Sequence, residues 1–307
     1  MLDMNTLHFS FSLVTTLLVN AVWGSRRPKP PAPGKFVEVA GRRIHYAERD
    51  GTGVPVLFLH GMPGTHLDFE PVLALMGDAR PIAIDRPGYG WSEGGPLTFQ
   101  EQIDMVPAFL EALNIDRAVL VGHSFGGLLA LGVARKHADV VGSMVLVAPS
   151  GGGLRSGPFR LAAARLVTIM QLPGVRHAMA LTVGGLIRRV SAEIDLRFAF
   201  APDPPDTGYR ARLNELTLHD DNLEAMARDR LSYNANIAWI DTQTPLIDVP
   251  SITVLATGDR PIPIRHGRQL AGSLRHNRTI ELEGGHMIPY VSPDVVVRAT
   301  IEAIGRL

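Results

Sequence analysis

The chain has 307 residues, with 30 Lys+Arg against 30 Asp+Glu and no cysteine. That length allows one large domain, or one domain carrying an insertion, with a core that is stable without cross-links. The even charge argues against nucleic acid as a partner, and the missing cysteines exclude a disulfide framework, a thiol nucleophile and any Cys-ligated metal.

Residues 7–24, LHFSFSLVTTLLVNAVWG, approach the length a bilayer requires, but His8, Ser10, Ser12, Thr15, Thr16 and Asn20 dilute the apolar run. Arg26, Arg27 and Lys29 follow in a proline-rich stretch, RRPKPPAPG, expected to be extended and unpacked. The basic flank favours a membrane anchor with the body on the cytoplasmic side. A signal peptide removed on export, with Val19-Asn20-Ala21 near its cleavage point, and an amphipathic helix resting on the protein are the competing readings. Residues 1–33 are therefore set apart from the folded body.

From Gly34 the pattern is regular. Residues 36–39 and 43–47 alternate like two strands about Ala40-Gly41, which predicts an antiparallel hairpin. A strand at 54–59, a helix at 67–76, a strand at 81–85, a helix at 99–113, a strand at 118–121, a helix after Ser124 and a strand at 143–148 follow. The strands are short apolar runs flanked by glycine, as expected where both faces are buried, and their alternation with helices predicts an α/β sheet with right-handed crossovers. Residues 151–242 lack a strand pattern and hold helical stretches at 161–171, 178–189, 210–218 and 222–234, which reads as an inserted helical cap. Alternation resumes with a strand at 252–256, a helix at 264–273, a strand at 279–282 and a helix at 293–304, so the core comprises 34–150 and 243–307.

Gly122-His123-Ser124-Phe125-Gly126 stands between the strand at 118–121 and a helix. A tight turn there throws the serine hydroxyl out above the sheet, and small flanking residues leave room for the backbone. The bland alternative is a glycine-rich turn with an N-capping serine. A serine hydroxyl is a poor nucleophile until a base contacts it and a carboxylate holds the base. His286 follows the last strand through Gly284-Gly285, a turn able to aim an imidazole back, and Asp259 lies just past the strand at 252–256. The chain order is then Ser124, Asp259, His286.

Acyl transfer also needs donors for an oxyanion. The loop His60-Gly61-Met62-Pro63-Gly64-Thr65 can present the Met62 N–H beside that of Phe125, each such donor contributing about 3 kcal/mol. His60 and His123 are expected to order their loops rather than transfer protons. With Gly61, and with Leu166 and Met170 of the cap, they are also candidate substrate contacts, although cap residues at helical spacing more often pack against the core. The loop Asp85-Arg86-Pro87-Gly88-Tyr89-Gly90-Trp91-Ser92 reads as a rigid wall beside the site. His177, His219, His266 and His276 lack metal-ligand spacing, and Gly151-Gly152-Gly153 precedes no phosphate-binding helix, so neither a metal nor a cofactor is expected. Arginines 155, 160, 165, 188 and 189 make the cap locally basic, in keeping with a solvated face more than with a membrane surface or an anionic substrate.

The HGMPG loop, DRPGYGWS, the GHSFGG elbow and the ATGD and GGHMIP segments together resemble the α/β-hydrolase superfamily from about Lys35 to the C-terminus. The resemblance implies an eight-stranded, mostly parallel sheet with a helical cap after the sixth strand, and catalysis without metal or cofactor. It implies Ser124 as nucleophile, Asp259 as acid, His286 as base and the Met62 and Phe125 N–H groups as oxyanion hole. Members often carry a glycine three residues before the acid, where this chain has Ala256, with Gly258 beside Asp259 instead. The hairpin and the DRPGYG loop resemble the epoxide hydrolase and haloalkane dehalogenase branch, whose elbow nucleophile is an aspartate; Ser124 points away from that chemistry. A serine hydrolase acting on a small, apolar ester is the leading expectation. Carbon–carbon bond hydrolysis or cofactor-free perhydrolysis by the same residues, and a catalytically silent receptor, are the alternatives.

Overall fold

The computed structural model describes residues 29–158, 161–162, 165, 169, 193–217 and 219–306. Its centre is an eight-stranded sheet: β1 (Lys35–Val39), β2 (Arg42–Glu48), β3 (Pro55–Leu59), β4 (Arg80–Ile84), β5 (Ala118–His123), β6 (Val141–Val147), β7 (Ser251–Ala256) and β8 (Asn277–Leu282). The strand order is β1-β2-β4-β3-β5-β6-β7-β8. β1 and β2 run antiparallel, as do β2 and β4, and every other pairing is parallel. The hairpin closes through Ala40 and Gly41, both at positive φ (49° and 72°), the two-residue turn whose twist matches that of its strands.

Both faces of the central strands are covered, which explains their unbroken apolar runs. Leu57, Leu120 and Leu146 pack on the same side as Phe109 and Leu128, from helices Phe99–Ala112 and Phe125–Lys136. Val56, Val119 and Val145 alternate to the other side, where Val296 and Ala299 of helix Pro293–Ile304 meet them. Thr98 starts helix Phe99–Ala112 with a capping box completed by Glu101.

Two expectations need correction. The helix expected at 67–76 is a 3-10 turn, His66–Phe69, followed by a short helix, Glu70–Leu73. Pro71 has no N–H to give to the carbonyl four residues back, so one continuous helix would lose a bond at that point. The proline-rich stretch is not wholly unpacked either: Lys29 Nζ donates to the Gly90 carbonyl (2.7 Å), and Trp91 Nε1–H donates to that of Pro30 (2.7 Å). Extended proline-rich backbone leaves its carbonyls free for such donors.

Between β6 and β7 the described residues carry helices Thr207–Thr217 and Asp220–Gln243, the second running nine residues beyond the expected end at 234. The expected helix at 178–189, most of that at 161–171, and the apolar segment 7–24 lie outside the described residues. Among the described residues, no helix is long and apolar enough to cross a membrane.

Candidate active site

The chain leaves β3 for β4 on one side and returns to β5 on the other, so a crevice opens above β3 and β5, where open parallel sheets place their ligands. Segments beyond the carboxyl ends of β3, β5, β6, β7 and β8 contribute to its lining.

Ser124 sits directly past β5 with φ 55° and ψ −116°, a conformation unfavourable for a residue with a side chain. Its neighbours explain the glycines. A Cβ at Gly122 would lie 2.4 Å from the Gly126 carbonyl oxygen, and one at Gly126 would lie 1.9 Å from that of Leu59. The turn is pinned by Ser124 N–H to Val147 O (2.9 Å) and by Ser150 N–H to Ser124 O (3.0 Å). Although Ser124 occupies the N-cap position of helix Phe125–Lys136, its side chain makes no capping hydrogen bond. Ser124 and His286 both line a cavity of about 310 Å³.

His286 and Asp259 are in contact: Nδ1–H donates to Asp259 Oδ2 at 2.7 Å, and both side chains are buried. The other oxygen, Oδ1, accepts from the Ile262 N–H (2.7 Å), which fixes the carboxylate's orientation. With its proton on Nδ1, the imidazole keeps a lone pair on Nε2. The displaced glycine of ATGD has a geometric reason: Gly258 N–H bonds to Gly284 O (2.9 Å), and a Cβ at Gly258 would come 2.7 Å from that oxygen. The loops that carry Asp259 and His286 therefore touch at a glycine. Clearance explains Gly285, where a Cβ would lie 2.1 Å from the Ala201 carbonyl oxygen, and Gly284 sits at positive φ (141°), which favours glycine.

Gly61, Met62, His123 and Phe125 line the cavity, whereas His60, expected among the substrate contacts, does not. His60 is fully buried behind the loop; its Nε2 accepts from the Arg86 N–H (2.9 Å), so Nδ1–H donates to Gly61 O (2.9 Å). Burial, reinforced by the Arg86 charge, pushes its pKa down to about 3, so it remains neutral. His123 Nε2–H donates to the His286 carbonyl (3.0 Å), and burial together with His286 holds this ring well below the usual histidine range. Leu166 and Met170 lie outside the described residues.

Several buried groups around the site were not legible beforehand. His45, His66 and Asp85 converge, and their ligand-type atoms lie within 4.8 Å of one another. They form a hydrogen-bonded knot: Asp85 accepts from His45 Nδ1 (2.8 Å), His66 Nδ1 (3.0 Å), His66 N (2.8 Å) and Trp91 N (3.0 Å). Four donors saturate the carboxylate, and both facing imidazole nitrogens carry protons, a poor donor set for a cation. Burial opposes ionisation of Asp85, yet the two histidines outweigh it and hold its pKa well below the usual carboxylate range.

Asp68 behaves in the opposite way. It is buried beneath helix Thr207–Thr217, accepts from the Tyr209 hydroxyl (2.7 Å), and approaches His123 Nδ1 only to 4.0 Å. Burial pushes its pKa up to about 7, against the Tyr209 hydrogen bond. A carboxyl raised in this way binds its proton more tightly when folded. Its stabilising share is complete below the ordinary value of 3.8 and is lost as pH rises toward 7. Asp68→Asn keeps the shape and cannot titrate, so its melting temperature should gain on that of wild type between about pH 4 and about pH 7. Parallel thermal melts across that range check this; a gap that does not change with pH would refute it.

A model of the alpha/beta hydrolase family matches residues 56–299. The chain belongs to that family. Among relatives of this chain, a haloalkane dehalogenase of Sphingobium indicum is 39% identical over 121 residues, which is 37% of this chain and 40% of the dehalogenase. The match thus spans about two fifths of that relative's length. Among solved structures, an enol-lactonase from Burkholderia xenovorans LB400 superposes with a TM-score of 0.71 at 22% identity, covering 88% of this chain and 100% of its own. A thermophilic esterase from Thermogutta terrifontis gives 0.69 at 21% identity, covering 90% and 99%. At these identities the two structures show a shared fold. The activities named for these similar proteins are those of a haloalkane dehalogenase, an enol-lactonase and an esterase.

Proposed function

We propose that this hydrolase cleaves carboxylic esters or related acyl bonds through a covalent acyl-Ser124 intermediate. The observation that carries the reading is the 2.7 Å His286–Asp259 hydrogen bond behind a cavity wall that presents both His286 and the uncapped Ser124 hydroxyl. Ser124 Oγ attacks the carbonyl carbon as its proton passes to His286 Nε2, and the carbonyl oxygen takes up negative charge between the Met62 and Phe125 N–H groups. Collapse of the tetrahedral intermediate expels the alcohol, which leaves with that proton. Water then repeats the sequence on the acyl-enzyme, releasing the carboxylic acid and restoring Ser124.

Phe125 is the first residue of its helix, where the backbone N–H has no intrahelical acceptor and the helix dipole favours negative charge. Met62, Leu154, Leu196, Leu213 and Met287 make the cavity wall largely apolar, and its volume of about 310 Å³ suits a small acyl ester. The esterase and the enol-lactonase that share the fold are consistent with acyl chemistry.

A fluorophosphonate probe tests the reading directly. The native protein should gain one probe mass on the peptide that contains Ser124, and the heat-unfolded protein should gain none. Absence of labelling in the native protein would favour a silent, receptor-like fold instead.

A further inference from the structure

Arg86 is a fully buried cation at 0% exposure. Its guanidinium donates to Asp229 Oδ2 (2.8 Å), Gln102 Oε1 (2.6 Å) and the Gly61 carbonyl (2.9 Å), and lies over the rings of Tyr89 (4.4 Å) and Phe125 (4.7 Å). Asp229 is 143 positions away, on helix Asp220–Gln243 of the segment between β6 and β7. Its carboxylate also accepts from the Tyr89 hydroxyl (2.8 Å) and from Gln102 Nε2 (2.8 Å).

The Gly61 carbonyl and the Met62 N–H belong to one peptide unit. That unit is planar, and in a trans peptide its C=O and N–H point in opposite directions. Two donors, Arg86 Nη2 and His60 Nδ1, hold the oxygen at 2.9 Å each, so they also fix the direction of the Met62 N–H. A charged donor on the carbonyl further polarises the amide and strengthens its N–H as a donor. The same helix reaches the other donor residue: Tyr233, one turn after Asp229, stacks on the Phe125 ring (6.3 Å between centroids, 22° between planes) and hydrogen-bonds Ser150 Oγ (2.8 Å).

We propose that Asp229, acting through Arg86, is a positioning residue for the oxyanion donors, so that the segment between β6 and β7 sets how well the core stabilises the transition state. This rests on the acyl-transfer reading above. The ion pair aims the Met62 amide and backs the Phe125 residue, and it does so without touching substrate.

The test uses the full chain, a p-nitrophenyl ester and a trifluoromethyl ketone that forms a tetrahedral adduct with serine. Asp229→Asn should lower kcat by about 10- to 100-fold, weaken the ketone by the same factor and leave KM within about twofold. Because that substitution leaves Arg86 buried without its counter-charge, the double variant Arg86→Met with Asp229→Leu is measured beside it. The double variant should melt near wild type yet keep the low kcat, since the Gly61 carbonyl has lost its charged donor. Recovery of kcat along with stability, an unchanged kcat in either folded variant, or failure of both to fold would overturn the inference. If the wild type itself forms no ketone adduct and takes no fluorophosphonate label, it is the serine reading that fails.

Discussion

Replacing Ser124 with Ala lowers kcat for ester hydrolysis by about 10⁴- to 10⁶-fold while leaving the fold intact. The side chain makes no capping hydrogen bond, so its removal costs the helix little, and the backbone turn is held by its own Ser124–Val147 and Ser150–Ser124 hydrogen bonds. What disappears is the only atom proposed to bond to the carbonyl carbon. The Met62 and Phe125 donors and the cavity remain, so KM should stay close to the wild-type value and a trace of water-driven turnover should persist. Initial rates with a short p-nitrophenyl ester, set beside thermal melts of both proteins, measure the effect. A variant that melts normally and turns over within tenfold of wild type would eliminate Ser124 as nucleophile.

Asp259→Asn should cost about 10⁴-fold in kcat, by a different route. The Ile262 N–H donates to Oδ1 at 2.7 Å and needs an acceptor in the variant as well, so the asparagine carbonyl oxygen should take that place. Its NH₂ group then occupies the position of Oδ2 and points a donor at His286 Nδ1, where the wild type has an acceptor at 2.7 Å. The imidazole responds by carrying its proton on Nε2, the nitrogen that must receive the Ser124 proton. Size and packing are unchanged, so stability should move little. Activity within tenfold of wild type would mean that Asp259 is only a turn residue and that His286 is oriented by something else.

Local pattern sufficed wherever local forces decide the structure. Helices Ile264–Ser273 and Pro293–Ile304 begin and end where the apolar spacing places them, and the Ala40-Gly41 turn adopts the positive φ values that close a two-residue hairpin. The elbow was legible because a strand, two glycines and a helix are contiguous. Groups brought together by topology were not. Arg86 and Asp229 are 143 positions apart, His45 and Asp85 are 40 apart, and no periodicity encodes that a charge on one will meet a charge on the other. Gly284-Gly285 was readable as a turn, but the reason for Gly285 is the carbonyl of Ala201, which only the folded chain supplies. Pro71 could have marked the break between His66–Phe69 and Glu70–Leu73, since a missing N–H is visible in the sequence.

The contact between Gly126 and Leu59 O divides the site for anyone wishing to redirect it toward new substrates. Side chains at 122, 126 and 127 would collide with backbone or Pro149, so a library that varies them spends most of its members on chains that cannot close the turn. Leu154, Leu196 and Leu213 line the same cavity and already carry side chains there. Diversity placed there changes the shape offered to the acyl group and leaves the reacting atoms where they are.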